Sequence, residues 1–239
     1  MNATEIQQLL NEVSSKEKAL VLNRFFKTGR GEYGEGDLFR GVKMPEQRAI
    51  VKCVDNLIDF KLIDDLLASV YHEDRMMGLL ILVKWFEASK KHPENQAEIF
   101  GYYLAHTSSI NNWDLVDLSA PKIVGAYLVN RDCEILFRLA NSTNLWEQRI
   151  AMVSTWKLIQ QGRFEPSLQL AERLLNHPHD LMQKAVGWML REVGKRDLDL
   201  EIDFLTTDHR YQRMPRTMLR YAIEKFPEPL RLQFLHGEI

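Results

Sequence analysis

Apolar residues recur every three or four positions along most of this chain, the spacing that places them on one face of an α-helix. The segment 72–91, HEDRMMGLLILVKWFEASKK, shows this pattern most clearly. Its apolar stripe consists of Met76, Leu79, Leu80, Val83 and Phe86. No stretch of useful length alternates apolar and polar residues, as a half-buried strand would. The pattern therefore predicts an all-α protein without a substantial sheet.

Helix ends are marked by residues that cap the backbone. Segment 144–162 begins at Asn144, and Glu147 follows three residues later, which is the spacing of a capping box. The segment ends at Gly162, a residue suited to the end of a helix. Further helices are predicted over 131–140, 166–175, 179–195 and 214–226.

The long helices recur at a regular interval. Arg149 follows Arg75 by 74 residues, twice 37, and Lys184 follows Arg149 by 35; all three lie early in a long helix. The helix that contains NNWDLVD (111–117) fills the missing step. A period of 35–37 residues with two helices per unit is typical of an α-helical repeat array, which presents a concave surface lined by one helix of each pair.

One segment, 28–46, interrupts the helical pattern. Five glycines fall within residues 28–41, which is reminiscent of a phosphate-binding loop. The segment lacks the Gly-Lys-Ser/Thr ending of such loops, and its acidic residues Glu32, Glu35 and Asp37 would repel phosphate. We therefore predict an ordered loop or small hairpin that joins repeats.

Composition is that of an ordinary globular protein. The 239 residues are 45% hydrophobic and 27% charged, with a net charge of −2. This balance argues against a wholly basic nucleic-acid binder, so any anion-binding surface must arise from local placement of cations. The longest apolar run, 78–83, is too short to span a bilayer, and the N-terminus lacks the apolar core of a signal peptide. Cys53 and Cys133 lie in apolar helical segments, which favours a reduced pair in the cytoplasm.

The stretch 111–117 contains the first candidate for chemistry. Trp113 and Asp117 are four residues apart and share one helix face, whereas Asp114 points about 100° away. Such a pair is more often structural than functional when it stands alone. The alternative is a face built to hold a positively charged group.

A second tryptophan lies among cations. Trp188 shares its helix face with Lys184, Arg191 and Lys195, while the opposite face is apolar. A large ring in a basic stripe suggests an anionic ligand with a group that stacks. Gly187 beside it would permit the close approach of a backbone or of a ligand.

Other cations suit phosphate contact. Arg149 lies one repeat from each tryptophan site, and Arg213, Arg216 and Arg220 form a further cluster at helical spacing. The alternative is a solvated basic face. A solvated face could explain any one of these sites. It explains less well why three repeats carry such a site, at Trp113 with Asp117, at Arg149 and at Trp188.

The segment NHPHD (176–180) resembles a metal-ligand cluster through His177, His179 and Asp180. Pro178 makes it a turn, and Asp180 is well placed as the N-cap of the next helix. No second cluster completes four ligands, so we predict no metal site.

The segments NNWDLVD, NLWEQRIA, QKAVGWMLREVGK and GVKMPEQR together resemble the DNA alkylation repair family, the bacterial alkylpurine-DNA glycosylases built from HEAT-like repeats. The resemblance covers roughly residues 20–235, and the motifs occur in the family's order. It implies an all-α, HEAT-like repeat solenoid with a concave basic groove, formed by a single domain over residues 1–239. The segment 28–41 is longer than in the minimal enzymes of the family.

The resemblance also implies an activity. The family hydrolyses the N-glycosidic bond of N3- and N7-alkylated purines in double-stranded DNA, a base excision repair reaction that needs no metal or cofactor. Its catalytic aspartate matches Asp117, its active-site tryptophans match Trp113 and Trp188, and its active-site arginine matches Arg149. The DNA-binding residues expected with them are Lys43, Lys184, Arg191, Lys195, Arg213, Arg216 and Arg220. We expect the protein to act as a monomer.

The expected chemistry follows from the charge of the damaged base. Alkylation makes the purine a cationic leaving group, and positive charge develops on the deoxyribose as the bond breaks. Asp117 would stabilise that charge, the tryptophan faces would contribute cation–π contacts, and Arg149 would clamp a backbone phosphate. Two other hypotheses remain: a non-catalytic paralogue that binds unusual or branched DNA, and a repeat scaffold for protein partners.

Overall fold

The computed structural model describes residues 1–239, and the regular secondary structure is helical. The β-type pairing is limited to an isolated bridge between Leu38 and Tyr71. The all-α prediction is therefore confirmed. The chain divides into two compact units, Met1–Ile123 and Val124–Ile239. A single domain over the whole chain and a concave basic groove stay predictions.

The first unit contains seven α-helices and one short 3-10 turn. The helices are α1 (Ala3–Glu12), α2 (Lys16–Phe25), α3 (Met44–Cys53), α4 (Phe60–Leu67), α5 (His72–Ala88), α6 (Pro93–Ala105) and α7 (Trp113–Ala120), with the 3-10 turn at Thr107–Ser109. A π-helical turn at Pro121–Gly125 follows α7.

The second unit contains nine α-helices and two 3-10 turns. The helices are α8 (Ala126–Leu128), α9 (Glu134–Ala140), α10 (Leu145–Gln160), α11 (Glu165–Arg173), α12 (Asp180–Gly194), α13 (Leu198–Thr206), α14 (Arg210–Arg213), α15 (Arg216–Ala222) and α16 (Glu228–His236), with 3-10 turns at Thr207–His209 and Ile223–Lys225.

Successive helices pair in both units, as a repeat array requires. In the first unit α4 packs on α5, and α5 packs on α7; in the second, α9 and α11 flank α10, and α10 packs on α12. Each long helix therefore buries its apolar side chains against its neighbours in the chain. This pairing accounts for the helical period of the sequence.

Helix α5 is the centre of the first unit. The predicted apolar stripe is buried, but the helix is buried on nearly every side, including the charged residues Glu73, Asp74 and Arg75 in its first turn. Buried charges require partners. Here the partners come from the glycine-rich segment.

The predicted helix ends are only partly correct. Asn144 caps α10 as predicted, but its side chain accepts from the N–H of Trp146, so the capping box with Glu147 does not form. Gly162 follows the C-cap with φ +75°, as expected of a helix-ending glycine. The N-cap of α12 is His179, not Asp180, because the Nδ1 atom of His179 accepts from the N–H of Leu181 at 3.1 Å.

The glycine-rich segment is an ordered loop rather than a hairpin. Its end runs beside the start of α5, where the N–H of Leu38 donates to Val70 and the N–H of His72 donates to Leu38. Gly41 has φ +79°, and a side chain there would collide with the backbone oxygen of Ser15. A glycine is thus required where the loop crosses the start of α2.

Two further sequence features can be compared with the structure. Cys53 and Cys133 are both free thiols, so no disulfide joins them. No helix is both long and apolar enough to cross a lipid bilayer.

Candidate active site

Trp113 lies at the start of α7, packed against an aromatic cluster. Its ring stacks on Phe26 with centroids 5.2 Å apart and meets Phe25 edge-on at 5.9 Å. Phe26 in turn stacks on Phe39, which stacks on His72. The indole is half-buried, while Phe25 is 61% exposed. These contacts fix the orientation of Trp113 and leave part of its surface open to a ligand.

A charged cluster fixes the residues around Trp113, and we call it the Asp37 latch: Asp37, His72, Arg75, Asn111 and Asp114. Asp37 accepts hydrogen bonds from Arg75 at 2.6 Å and Asn111 at 2.9 Å, and its other oxygen lies 3.1 Å from Nδ1 of His72. The Nε2 atom of His72 lies 2.8 Å from Asp114. The latch therefore joins the glycine-rich loop to both α5 and the start of α7.

The charged groups of the Asp37 latch stabilise one another's ionised forms. Burial lowers the pKa of His72, but the charge and hydrogen bond of Asp114, together with Asp37, outweigh it and raise the pKa to about 9. Burial raises the pKa of Asp37, yet hydrogen bonding to His72 and the charge of Arg75 bring it below its ordinary value. Both ring nitrogens of the cationic imidazole thus donate to carboxylates at neutral pH.

A second set of contacts holds the end of the loop. The carboxylate of Glu73 accepts from the backbone N–H groups of Arg40, Gly41 and Val42 at 2.8–3.2 Å. The guanidinium of Arg40 forms a bidentate pair with Asp74 at 2.7 and 2.8 Å. These bonds satisfy the buried acids at the start of α5.

Asp117 lies one turn after Trp113 on α7, as the sequence predicted, and it is half-buried. The negative charge of Asp117 affects the buried phenol of Tyr103. Burial raises the pKa of that phenol, and the charge of Asp117 raises it further. The hydroxyl of Tyr103 contacts the hydroxyl of Ser119 at 2.9 Å. Asp114 points to a different face of α7, where it belongs to the Asp37 latch.

Arg149 is buried between two helices of the second unit. It lies in the first turns of α10 and is 5% exposed. Its guanidinium donates to the backbone oxygen of Leu181 at 2.6 Å, in the first turn of α12. Arg149 therefore ties two neighbouring helices of the second unit together.

Trp188 is half-buried on α12, and its environment is less basic than the sequence suggested. Burial raises the pKa of Glu192, but hydrogen bonding to Lys195 and its positive charge lower it below the ordinary value. The indoles of Trp156 and Trp188 lie near this carboxylate and lower its pKa further. Trp188 therefore has an acid as well as cations in its surroundings.

The three cations beside Trp188 are each paired with a carboxylate. Lys184 pairs with Asp180 at 2.6 Å, and Lys195 with Glu192 at 2.6 Å. Arg191 pairs with Glu224. An anion that binds there has to replace these partners.

Other predicted DNA-binding cations are more available. Lys43, Arg213, Arg216 and Arg220 are exposed. Arg216 donates to the backbone oxygen of Leu235 at 3.0 Å and has no carboxylate partner. The side chains of the other three make no hydrogen bond or ion pair.

Gly187 serves helix packing. A side chain at this position would lie 2.4 Å from the backbone oxygen of Met218 and 2.6 Å from the side chain of Tyr221. The glycine therefore permits the close approach of α15 to α12. Of the two possibilities that the sequence raised, a backbone rather than a ligand approaches here.

The histidines before α12 shape its first turn. The Nε2 atom of His177 contacts the side-chain oxygen of Gln148 at 2.8 Å, and its Nδ1 accepts from the N–H of His179. Asp180 pairs with Lys184. Each of these side chains thus has a structural partner in the second unit.

Sequence reasoning missed the surroundings of Trp113. Phe25 and Phe26 carry no motif, and the sequence around Asp37 indicates only an acid that repels phosphate. A buried histidine at the start of an apolar helix was a usable signal, because His72 needs polar partners in that position. Nothing in the sequence identified those partners.

Comparisons with known proteins agree with this architecture. Residues 6–226 match the family described as DNA alkylation repair enzyme. A solved structure described as a predicted DNA alkylation repair enzyme from Enterococcus faecalis superposes with a TM-score of 0.68. The two sequences are 16% identical, and the match covers 90% of this chain and 97% of that chain. At this identity the likeness shows the fold. No curated protein matches the chain.

Proposed function

This chain belongs to the family of DNA alkylation repair enzymes, and from that membership we propose that it excises cationic N3- and N7-alkylated purines from double-stranded DNA. The reaction is hydrolysis of the N-glycosidic bond. The observation that carries the proposal is the pairing of Trp113 with Asp117 on one face of α7, fixed in place by the aromatic cluster and the Asp37 latch.

Asp117 is the proposed catalytic residue. When the bond between C1′ and the purine nitrogen breaks, its electron pair neutralises the cationic base, and positive charge is left on the sugar. A fixed, half-buried carboxylate stabilises that charge and orients the water that attacks C1′. Because the leaving group is already cationic, no general acid is needed.

Trp113 is proposed to contribute a cation–π contact through the face of its indole ring. A ring within reach of a cationic sugar or base stabilises it by about 0.5–2 kcal/mol, depending on desolvation. The contacts with Phe25 and Phe26 restrict the motion of Trp113, so little conformational entropy is lost when a ligand binds. By the same resemblance, Trp188 is proposed to contact the damaged nucleotide.

Arg149 is proposed as a positioning residue rather than a phosphate clamp. Its burial and its bond to Leu181 favour a role in holding α10 against α12. Phosphate contact is assigned first to Lys43, Arg213, Arg216 and Arg220, which are exposed and have no carboxylate partner. Lys184, Arg191 and Lys195 join them where phosphates replace their acidic partners.

The test is release of methylated bases from alkylated duplex DNA. The wild-type chain should release 7-methylguanine and 3-methyladenine, whereas Asp117→Asn should bind the same DNA and release them far more slowly. Tight binding without release by the wild-type chain would favour the second candidate, a paralogue that binds unusual or branched DNA. Absence of both binding and release would contradict both candidates.

A further inference from the structure

The first unit contains a cavity whose lining includes neither Asp117 nor Trp113. It has a volume of about 390 Å³ and lies between α2, the end of the glycine-rich loop, the start of α3 and the start of α5. Its walls are mainly apolar and include Phe26, Phe39, Val42 and Met76. Pockets that hold small molecules have volumes of about 300–1,000 Å³, so this cavity is of suitable size.

The free charges around the cavity are positive. Lys18 and Lys43 both line it, and their ammonium groups make no hydrogen bond or ion pair. The acids that line it are already engaged: Glu73 accepts from three backbone N–H groups, and Asp114 pairs with His72. The cavity therefore offers two cations at apolar walls and favours an anionic group on its ligand.

One buried polar atom in the lining has no partner. Gln47 is 4% exposed, and its Nε2 donates to the backbone oxygen of Val42 at 3.0 Å, which fixes the orientation of the amide. The remaining atom, Oε1, is buried without a hydrogen bond. Buried acceptors are nearly always satisfied, so this oxygen is available to a donor group on a ligand.

We propose that this cavity binds a nucleotide, with the base against Phe26, Phe39 and Gln47 and the phosphate at Lys18 and Lys43. Every nucleobase offers a flat apolar face and an N–H group, which suits the aromatic wall and the free Oε1. A lipid-like anion would match the walls and lysines but leave Gln47 unsatisfied. The same chemistry is offered by a free mononucleotide and by a nucleotide unit of a DNA strand.

Binding of a nucleotide in this cavity does not depend on the base excision proposed above. Nucleotide binding requires neither Asp117 nor an alkylated base, so the two proposals fail independently. Asp117→Asn is expected to bind mononucleotides as the wild type does.

The first measurement is calorimetric titration of the full chain with the four deoxynucleoside 5′-monophosphates. Two matched probes accompany them: deoxyadenosine, which lacks the phosphate, and hexyl phosphate, which lacks the base. We expect each probe to bind at least about tenfold more weakly than the mononucleotide. Equal affinity for hexyl phosphate would overturn the assignment of the base, and no mononucleotide binding would contradict a site for the free form.

Variants then locate the binding. Lys18→Ala should weaken the mononucleotide several-fold, whereas Lys16→Ala, an exposed lysine on the same helix outside the lining, should not. Gln47→Leu should weaken the mononucleotide by about tenfold and leave hexyl phosphate unchanged. Leu22→Trp fills the cavity from half-exposed α2 and should abolish binding without requiring a change at a buried position. Thermal unfolding checks that each variant is folded.

Measurements of DNA binding distinguish a free nucleotide from a nucleotide unit of a DNA strand as the ligand. If the ligand is a free nucleotide, Leu22→Trp should bind single-stranded and duplex DNA as the wild type does. If the ligand is a unit of DNA, the same variant should lose DNA affinity, and mononucleotides should compete with DNA. The proposal is overturned if mononucleotides do not bind and DNA affinity is insensitive to both Leu22→Trp and Gln47→Leu.

Discussion

The imidazole of His72 lies 2.8 Å from the carboxylate of Asp114, the residue that directly follows Trp113. Its other nitrogen lies 3.1 Å from Asp37, 35 residues earlier in the chain. The cationic ring thus joins the proposed active-site helix to the glycine-rich loop, beside the bond from Asn111 to Asp37. The protonation state of His72 therefore affects how firmly the start of α7, and with it Trp113, is held.

The stability supplied by His72 should depend on pH. Its pKa is about 9 in the folded protein and about 6.5 in the unfolded chain, so the contribution is fully present below about pH 6.5 and is lost as the pH rises through about 9. It amounts to roughly 3 kcal/mol by linkage. Replacing His72 by Gln should therefore lower the unfolding free energy most at pH 6 and least at pH 9.5. Urea denaturation of both proteins across this range measures it; a constant difference would refute a titrating role.

Loss of Asp37 should loosen the glycine-rich loop. Asp37→Ala leaves the buried guanidinium of Arg75 without its carboxylate, which costs on the order of 3–5 kcal/mol. Limited proteolysis should then cut within residues 28–41 faster than in the wild type. The matched control is Glu35→Ala in the same loop, because Glu35 is exposed and bonds only to the N–H of Gly31. Similar cleavage of the two variants would show that the latch does not order the loop.

Base selectivity should follow the charge of the leaving group. Wild-type excision of 7-methylguanine should far exceed that of hypoxanthine, a neutral lesion that needs an acid to depart. Asp117→Asn should reduce 7-methylguanine release by roughly 10²–10³-fold, the effect of removing one preorganised electrostatic partner. Trp113→Ala should cost less, since a cation–π contact is weaker. Single-turnover excision assays compare these rates; equal wild-type rates on the two lesions would contradict the charge argument.

DNA affinity should be independent of sequence and should fall with salt. Each phosphate contact releases counterions, so Arg213→Ala and Arg220→Ala should each reduce the slope of log affinity against log salt by about 1. Lys61→Ala is the control, because Lys61 is exposed but pairs with Asp65. Titrations between about 50 and 200 mM salt provide the slopes. Equal slopes for all these variants would show that neither arginine contacts phosphate.

Glu201 should make the protein less stable at high pH. This side chain is 1% exposed, and burial raises its pKa to about 9 against the opposing charge of Arg191. The unfolded chain loses the proton near pH 4.5, so stability falls as the pH rises from about 4.5 to about 9. Glu201→Gln should therefore gain melting temperature over the wild type progressively across this range. Asp203→Asn, exposed on the same helix, should show no such trend.

The sequence predicted helices better than it predicted their surroundings. The 3.6-residue period placed α5, α7, α10 and α12 because each buries apolar side chains against neighbours. It failed at the polar start of α5, where three adjacent charged residues are buried. Those residues are satisfied by a loop more than 30 positions away, and helical periodicity carries no information about such partners.

The candidate site was also only partly predictable. The separation of Trp113 and Asp117 follows from helix geometry, so their shared face could be stated in advance. The pairing of Arg191 could not, because its partner Glu224 lies on a 3-10 turn beyond α15. The partners of Lys184 and Lys195 lie only four and three residues away in the sequence and follow from helical spacing. The burial of Arg149 depended on how α10 packs against α12. Counting only the cations of α12 therefore overstated the basic character of the surface around Trp188.

The Asp37 latch also has a consequence for the order of folding. Asp37 and Asn111 are 74 residues apart in sequence, and the bond between them closes that whole length of chain. Local helices form within about a microsecond, whereas contacts this distant wait for the intervening segments to dock. The glycine-rich loop is therefore expected to be among the last parts of the first unit to become ordered. A nascent chain on the ribosome cannot complete this closure until Asn111 has left the exit tunnel.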